Sequence, residues 1–237
     1  MLVKTKAIVI SSLRYQEKSL IVRCFTQSDG LKSYFIRDAF STKKSSQKIA
    51  LFQPLNILEI EANHKNKGSL EYFKEAKLAY PYYTITTDIT KTTIAIFLSE
   101  ILHHCIREEE MNQNLYAFLE TALLWLDSHE EVANFHLILL LEISKFLGFY
   151  PDTTVNSNDF FEMTEGVFTP YHSVSCLTAE ETALLKRLML LKLDNSIKSF
   201  HVSERQALLK ILLDYYAFHL DGFKRPKSLD VLKEVFS

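Results

Sequence analysis

The chain has 237 residues, of which 47% are apolar, with 27 Lys and Arg against 29 Asp and Glu. That is ordinary globular composition, and no apolar run approaches the roughly 18–20 residues of a bilayer span. The first ten residues lack the long apolar core and small-residue cleavage site of a signal peptide. Cys24, Cys105 and Cys176 are too scattered for a disulfide framework or a Cys-based zinc site, which fits a reducing cytoplasm.

The near-neutral total conceals an asymmetry. Residues 1–80 hold 14 basic and 7 acidic side chains, and the remainder holds 13 and 22. A basic half joined to an acidic half points to a polyanionic partner for the first. The plain alternative is a β-rich domain with Lys and Arg on its solvated face.

Residues 1–80 read as β. Thr5 to Ile10 is short and β-branched, and Ser19–Phe25 and Lys32–Arg37 flank the turn signal Ser28-Asp29-Gly30. A three-residue loop pairing Cys24 with Tyr34 and Val22 with Ile36 puts Leu20, Val22, Cys24, Tyr34 and Ile36 on one face, the core. Arg23, Phe25, Phe35 and Arg37 then share the other face. A second hairpin spans Leu55–Ala62 and Leu70–Leu78, around Asn63 to Gly68. About five strands in 80 residues are best accommodated by a small OB-type β-barrel.

Tyr80-Pro81-Tyr82-Tyr83 marks a boundary between an OB domain at 1–80 and an all-α domain at 81–237, an α+β fold overall. Ile94, Phe97, Leu98, Ile101, Leu102 and Cys105 follow one helix face, and Leu115, Phe118, Leu119, Ala122, Leu123 and Leu126 repeat it. Phe135–Leu147 is apolar nearly all round and should stop at Gly148. Thr178-x-x-Glu181 and Ser203-x-x-Gln206 read as capping boxes opening two further helices, and a last short helix follows Pro226. Residues 151–177 show no clear period.

No nucleophile elbow, phosphate loop, dinucleotide fingerprint or H-E-x-x-H motif is present, so no catalytic, metal or cofactor site is expected. His103-His104 point about 100° apart on a helix and read as surface histidines; Glu108-Glu109-Glu110 reads as a solvated helix end. Single-strand binding combines cations with aromatic rings that stack on bases. The candidates are Lys4, Lys6, Arg14, Lys18, Arg23, Lys32 and Arg37, the loop cations Lys43, Lys44 and Lys48, and the rings Phe25 and Phe35. The alternative for the rings is packing beneath the following helices.

Several segments, in order, resemble the RecO family of bacterial recombination mediators. They are Lys4-Thr5-Lys6-Ala7-Ile8-Val9-Ile10, Tyr15-Gln16-Glu17-Lys18-Ser19, Phe25-Thr26-Gln27-Ser28-Asp29-Gly30, Leu147-Gly148-Phe149-Tyr150-Pro151, and His219-Leu220 with Pro226 to Leu232. The resemblance implies an N-terminal OB barrel and a helical domain. It implies binding of single- and double-stranded DNA, strand annealing, and action with RecR to load RecA onto DNA coated by single-stranded DNA-binding protein. The acidic, apolar tail of that coating protein would dock on the helical domain, where Arg107, Lys186, Arg187, Arg205 and Lys210 are the candidate cations. A nucleoid-associated cytoplasmic protein is implied, with no membrane partner.

Two departures stand out. Many relatives bind zinc through four cysteines after the Pro151 position, whereas residues 151–177 offer only Cys176, so an irregular segment is expected in place of the finger. Where the family carries a basic, Gly-containing stretch, this chain reads Arg37-Asp38-Ala39-Phe40. Two other readings compete with the mediator: a protein adaptor acting through the helical domain, and an RNA-binding OB protein.

Overall fold

The computed structural model describes residues 1–40, 49–65, 70–106, 111–154, 158–195 and 199–236. The expectations for Lys43, Lys44, Lys48, Arg107, Glu108, Glu109 and Glu110 lie outside these residues. The chain divides into two compact units, Met1–Ser128 with Pro226–Ser228, and His129–Arg225 with Leu229–Ser237.

In the first unit, β1 (Leu2–Tyr15), β2 (Ser19–Thr26), β3 (Gly30–Ile36), β4 (Ile57–Asn63) and β5 (Tyr72–Leu78) form one antiparallel sheet, ordered β3-β2-β1-β4-β5. β1 is long because it serves two partners. Leu2–Ile8 pairs with β4, and the strand then pairs with β2 as far as Tyr15 across a register shift between Val9 and Ser11. Such a bulge bends a strand and increases its twist, which turns the sheet back on itself. Ala7, Val9, Leu20, Val22, Cys24, Tyr34, Ile36, Leu58 and Ile60 fill the concave side.

The sheet is OB-type, but it is not closed into a barrel. Among the described residues the backbones at its two outer edges pair at a single parallel bridge between Tyr34 and Glu71, with Glu71 N–H donating to Ser33 O at 2.8 Å and Phe35 N–H to Glu71 O at 2.9 Å. The β2–β3 register also differs from expectation by two residues, with Val22 opposite Tyr34 and Cys24 opposite Lys32. The cause is local: the Thr26 hydroxyl donates to Gly30 O at 2.8 Å and accepts from Asp29 N–H at 3.0 Å, so Gln27-Ser28-Asp29 is the loop. A slip of two preserves the faces, because side chains alternate with period two.

Two helices complete this unit, α1 (Ile89–Cys105) and α2 (Gln113–Ser128), with the expected apolar stripe of α1 buried. α1 packs against β1. Asp127, at the end of α2, is 3% exposed and fastens the chain before α1. Its carboxylate accepts backbone N–H groups from Tyr83 at 3.0 Å, Thr84 at 2.8 Å and Ile85 at 3.0 Å. Buried Lys91 donates to the Thr84 hydroxyl at 2.7 Å and to Asp127 O at 3.2 Å.

The second unit contains α3 (Phe135–Phe146), a hairpin of β6 (Phe160–Glu162) and β7 (Val167–Thr169), α4 (Ala179–Met189), α5 (Val202–His219) and α6 (Leu229–Val235). α3 is buried nearly all round and ends before Gly148, whose φ of +83° suits only glycine comfortably. The Tyr216 hydroxyl donates to Leu140 O at 2.6 Å, tying α5 to α3. Thr178 and Glu181 form the expected capping box. α5, however, starts at Val202, one residue before Ser203, with the His201 N–H donating to the Glu204 carboxylate at 2.8 Å.

The segment 151–177 is not irregular throughout, as it holds the β6–β7 hairpin. Gly166 is required at its turn: its φ is +71°, and a Cβ there would lie 2.5 Å from the Tyr215 hydroxyl oxygen.

Candidate nucleic-acid interface

The convex side of the sheet is divided by the helices. Toward the β4 end, Ile8 and Phe25 are covered, and the Phe25 ring lies 5.9 Å from that of Tyr116 on α2. Phe25 is 1% exposed, so its expected stacking role is corrected to a core role. Lys32, facing inward from β3, is 7% exposed and is likewise no surface cation. The two errors differ in cause: for Phe25, alternation assigns the face but not what covers it, whereas Lys32 shares the core face of Tyr34 and Ile36 by alternation and only its charge suggested the surface.

Farther along, where β1 has parted from β4, no helix among the described residues covers the convex side. Tyr15 at the end of β1, Phe35 on β3 and Tyr72 at the start of β5 form an interlocked row there. Phe35 meets Tyr15 edge-on at 6.1 Å and Tyr72 edge-on at 6.1 Å. Tyr15 is 43% and Tyr72 46% exposed, and Leu13 beside them is 66% exposed. Lys65 stands over the Tyr72 ring with its ammonium 5.9 Å from the centroid.

Below Phe35 a concavity of about 610 Å³ is lined by Gln16, Glu17, Lys18, Ser19, Phe35, Arg37 and Asp38. Its two rims are turns with left-handed residues, Gln16 at φ +53° and Asp38 at φ +52°. Phe40 N–H donates to Lys18 O at 3.2 Å and joins the rims. Lys18 and Arg37 are exposed, while Arg14 is held over the Phe40 ring at 4.7 Å and donates to Glu17 O at 2.8 Å. Tyr15, Lys65 and Tyr72 escaped the sequence reading. The signal was available for Tyr15, which shares a face with Ile21 and Phe35 once β1 is extended to the turn.

Between the covered and bare regions, Arg23 is half-buried against α1. Its guanidinium lies 3.1 Å from His103 Nδ1, which in turn lies 3.2 Å from the Ser11 hydroxyl. His103 is therefore not a plain surface histidine. Burial, then the Arg23 charge, then His104 hold its pKa below the ordinary value, so it stays neutral beside the guanidinium.

Of the expected cations, Lys4 and Lys6 are neutralised in place, in a lattice that also takes in Lys74 and Lys77, which the sequence did not single out. Lys4 pairs with Glu61 at 3.2 Å, Lys6 with Glu120 at 2.8 Å, Lys77 with Glu59 at 2.9 Å, and Lys74 also with Glu61. Hydrogen bonds from Lys77 and Lys74 respectively hold the Glu59 and Glu61 carboxyls below their usual range. This zwitterionic lattice covers β1, β4 and β5, guards the β5 edge against strand pairing, and presents little net field to a polyanion. Alanine at Lys4 and Lys6 together is expected to change DNA affinity by less than about threefold, whereas Glu59→Gln with Glu61→Gln, by releasing lysines, should raise it several-fold; titration of a labelled oligonucleotide reads both.

The described candidate cations of the second unit hold local partners. Lys186 donates to Asn158 O at 2.6 Å; Arg187 donates to Ser199 O at 2.7 Å and pairs with Glu204 at 2.6 Å. Arg205 donates to Phe200 O at 2.7 Å, and Lys210 faces Asp214 at 3.8 Å. The first three brace loops. Among the described residues no group of acidic, His or Cys side chains is arranged to hold a metal ion, and no helix is long and apolar enough to cross a membrane.

An OB-type sheet with a bare aromatic and basic patch on its strand 2–3 face, between the β1–β2 and β4–β5 connections, has the architecture that serves oligonucleotide binding across many proteins. The comparisons narrow this to one family. Residues 1–82 match the family model for the recombination protein O N terminal, and residues 86–230 match that for its C terminal. The chain is 67% identical to the DNA repair protein RecO of Flavobacterium psychrophilum and 66% identical to that of Flavobacterium johnsoniae, over the full length of both partners in each case. Christiangramia forsetii RecO is 41% identical, again over full length. The chain belongs to the RecO family of DNA repair proteins.

Proposed function

We propose that this protein is a non-catalytic recombination mediator that binds single- and double-stranded DNA on the convex face of β1, β2 and β3. The observation that carries this reading is the gathering of Lys18, Arg37 and Lys65 around the Tyr15, Phe35 and Tyr72 rings on this face of the sheet. Phosphate contacts from such cations carry no sequence information, as suits a protein acting wherever a strand is exposed. By neutralising two strands at one surface it would promote annealing. Family membership supports the rest: partnership with RecR, engagement of the tail of single-stranded DNA-binding protein, loading of RecA, and work at the nucleoid in the cytoplasm.

The test is fluorescence anisotropy of a labelled single-stranded oligonucleotide at several salt concentrations. With about three to four phosphates neutralised, log K should fall against log salt with a slope of roughly −2 to −3. A flat response from folded protein would remove the phosphate-reading surface and leave an adaptor that meets DNA only through partners.

A further inference from the structure

We propose that the Tyr15–Phe35–Tyr72 row is a stacking platform for unpaired bases, making this face selective for single strands over duplex. The inference rests on the DNA-binding reading above and adds to it which chemical part of the nucleic acid the rings take.

The row spans strands far apart in sequence, from the end of β1 through β3 to the start of β5, and is locked by its own contacts. The interplanar angles are 81° between Tyr15 and Phe35 and 79° between Phe35 and Tyr72. Phe35 is thus gripped on both sides, while Tyr15 and Tyr72 remain 43% and 46% exposed. Phe25 on the same side of the sheet is, by contrast, 1% exposed against Tyr116 of α2. Rings fixed before binding lose little side-chain freedom when a base arrives.

The perpendicular arrangement decides the ligand. Tyr15 and Tyr72 each stand perpendicular to the Phe35 ring between them, so the outer two rings are the ones that can receive a base, and a base lies on either only after leaving its own stack. An unpaired strand does this readily. A duplex cannot without melting, because its bases are already stacked and paired. Lys65 beside Tyr72, and Lys18 with Arg37 below Phe35, stand where a backbone passing the rings would carry its phosphates. Glu17 and Asp38 line the same concavity and limit how closely a phosphate sits there. A base held on a ring is also unavailable for pairing, so release from the platform would precede annealing.

The experiment compares three labelled probes on the full chain: a 12-residue oligothymidylate, an abasic strand of equal length, and a duplex of the same length. Wild type should bind oligothymidylate at least tenfold tighter than the abasic strand. Tyr15→Leu and Tyr72→Leu should each weaken oligothymidylate binding by about 5- to 150-fold and leave the abasic and duplex affinities within twofold. Tyr15→Phe and Tyr72→Phe, which keep the ring, should restore wild-type behaviour. Both positions are nearly half exposed, so leucine there should leave the fold intact, which circular dichroism checks. Equal affinity for oligothymidylate and the abasic strand would overturn the platform while leaving phosphate binding standing. Binding of none of the three probes would overturn both readings together.

Discussion

Alanine in place of Asp127 is expected to lower the stability of the first unit by about 3 kcal/mol, because one buried and two part-buried backbone donors lose an ionised acceptor at once. For a domain of this size that corresponds to a fall in Tm of roughly 10 °C. The carboxylate is 3% exposed and sits where the chain leaves β5 and enters α1. Its pKa shows why it matters. Burial alone would raise it, but the N–H groups of Tyr83, Ile85 and Thr84 outweigh burial and hold the carboxyl below the usual range. A folded-state pKa below the unfolded one contributes stability that is fully present above about pH 4 and is lost as the pH falls through the folded value. Thermal unfolding followed between pH 7 and pH 2 should therefore show Asp127→Asn to be less stable at neutral pH and less sensitive to acid. A variant as stable as wild type at pH 7 would mean that the Tyr83–Ile85 turn holds itself.

Reversing Lys18 and Arg37 together to glutamate should weaken single-strand binding by about 50- to 100-fold at 50 mM salt. Each lost phosphate contact removes roughly 0.7 from the salt slope, which is about eightfold at that concentration relative to 1 M. The salt slope should shrink by about 1.4 in the same titration. Stability should hardly move, since both side chains are exposed and surface substitutions usually fall within about 0.5 kcal/mol. Alanine at both Lys4 and Lys6 is the control. Those lysines already face Glu61 and Glu120, so their loss should cost little DNA affinity even though it breaks two ion pairs. Equal losses from both pairs would place DNA over the whole convex side.

The contrast between Lys4 and Lys18 shows where the sequence stops being informative. Both are lysines in a basic stretch, and charge counting treats them alike. What separates them is Glu61, which is distant in sequence and becomes a neighbour of Lys4 only through the β1–β4 pairing, as Glu120 becomes one of Lys6 through the placement of α2. Phe25 and Phe35 differ in the same way. The alternation that put both on the convex face was correct, but one lies under Tyr116 and the other stands between two exposed tyrosines.

The strands, the main helix stripes, the capping box at Thr178 and the stop at Gly148 could be read from local spacing, because they depend on period and backbone freedom that the nearest residues decide. The hairpin register could not be read to the residue. Its faces survive a slip of two, and the deciding hydrogen bonds of Thr26 are a tertiary detail of one loop. The open sheet is a similar case: a closed barrel follows from strand count alone, but the β3–β5 junction is one bridge at Glu71. In the second unit, nothing in the sequence reveals that Lys186, Arg187 and Arg205 each reach a backbone carbonyl.

The most direct test of the interface is photocrosslinking of a short oligothymidylate to the intact protein, followed by mapping of the crosslinked peptides. Crosslinks at Tyr15, Phe35 or Tyr72, lost when Lys18 and Arg37 are reversed, are the result this account predicts. Crosslinks confined to β4 and the ion-paired face of β5, or to the helices of the second unit, would contradict it.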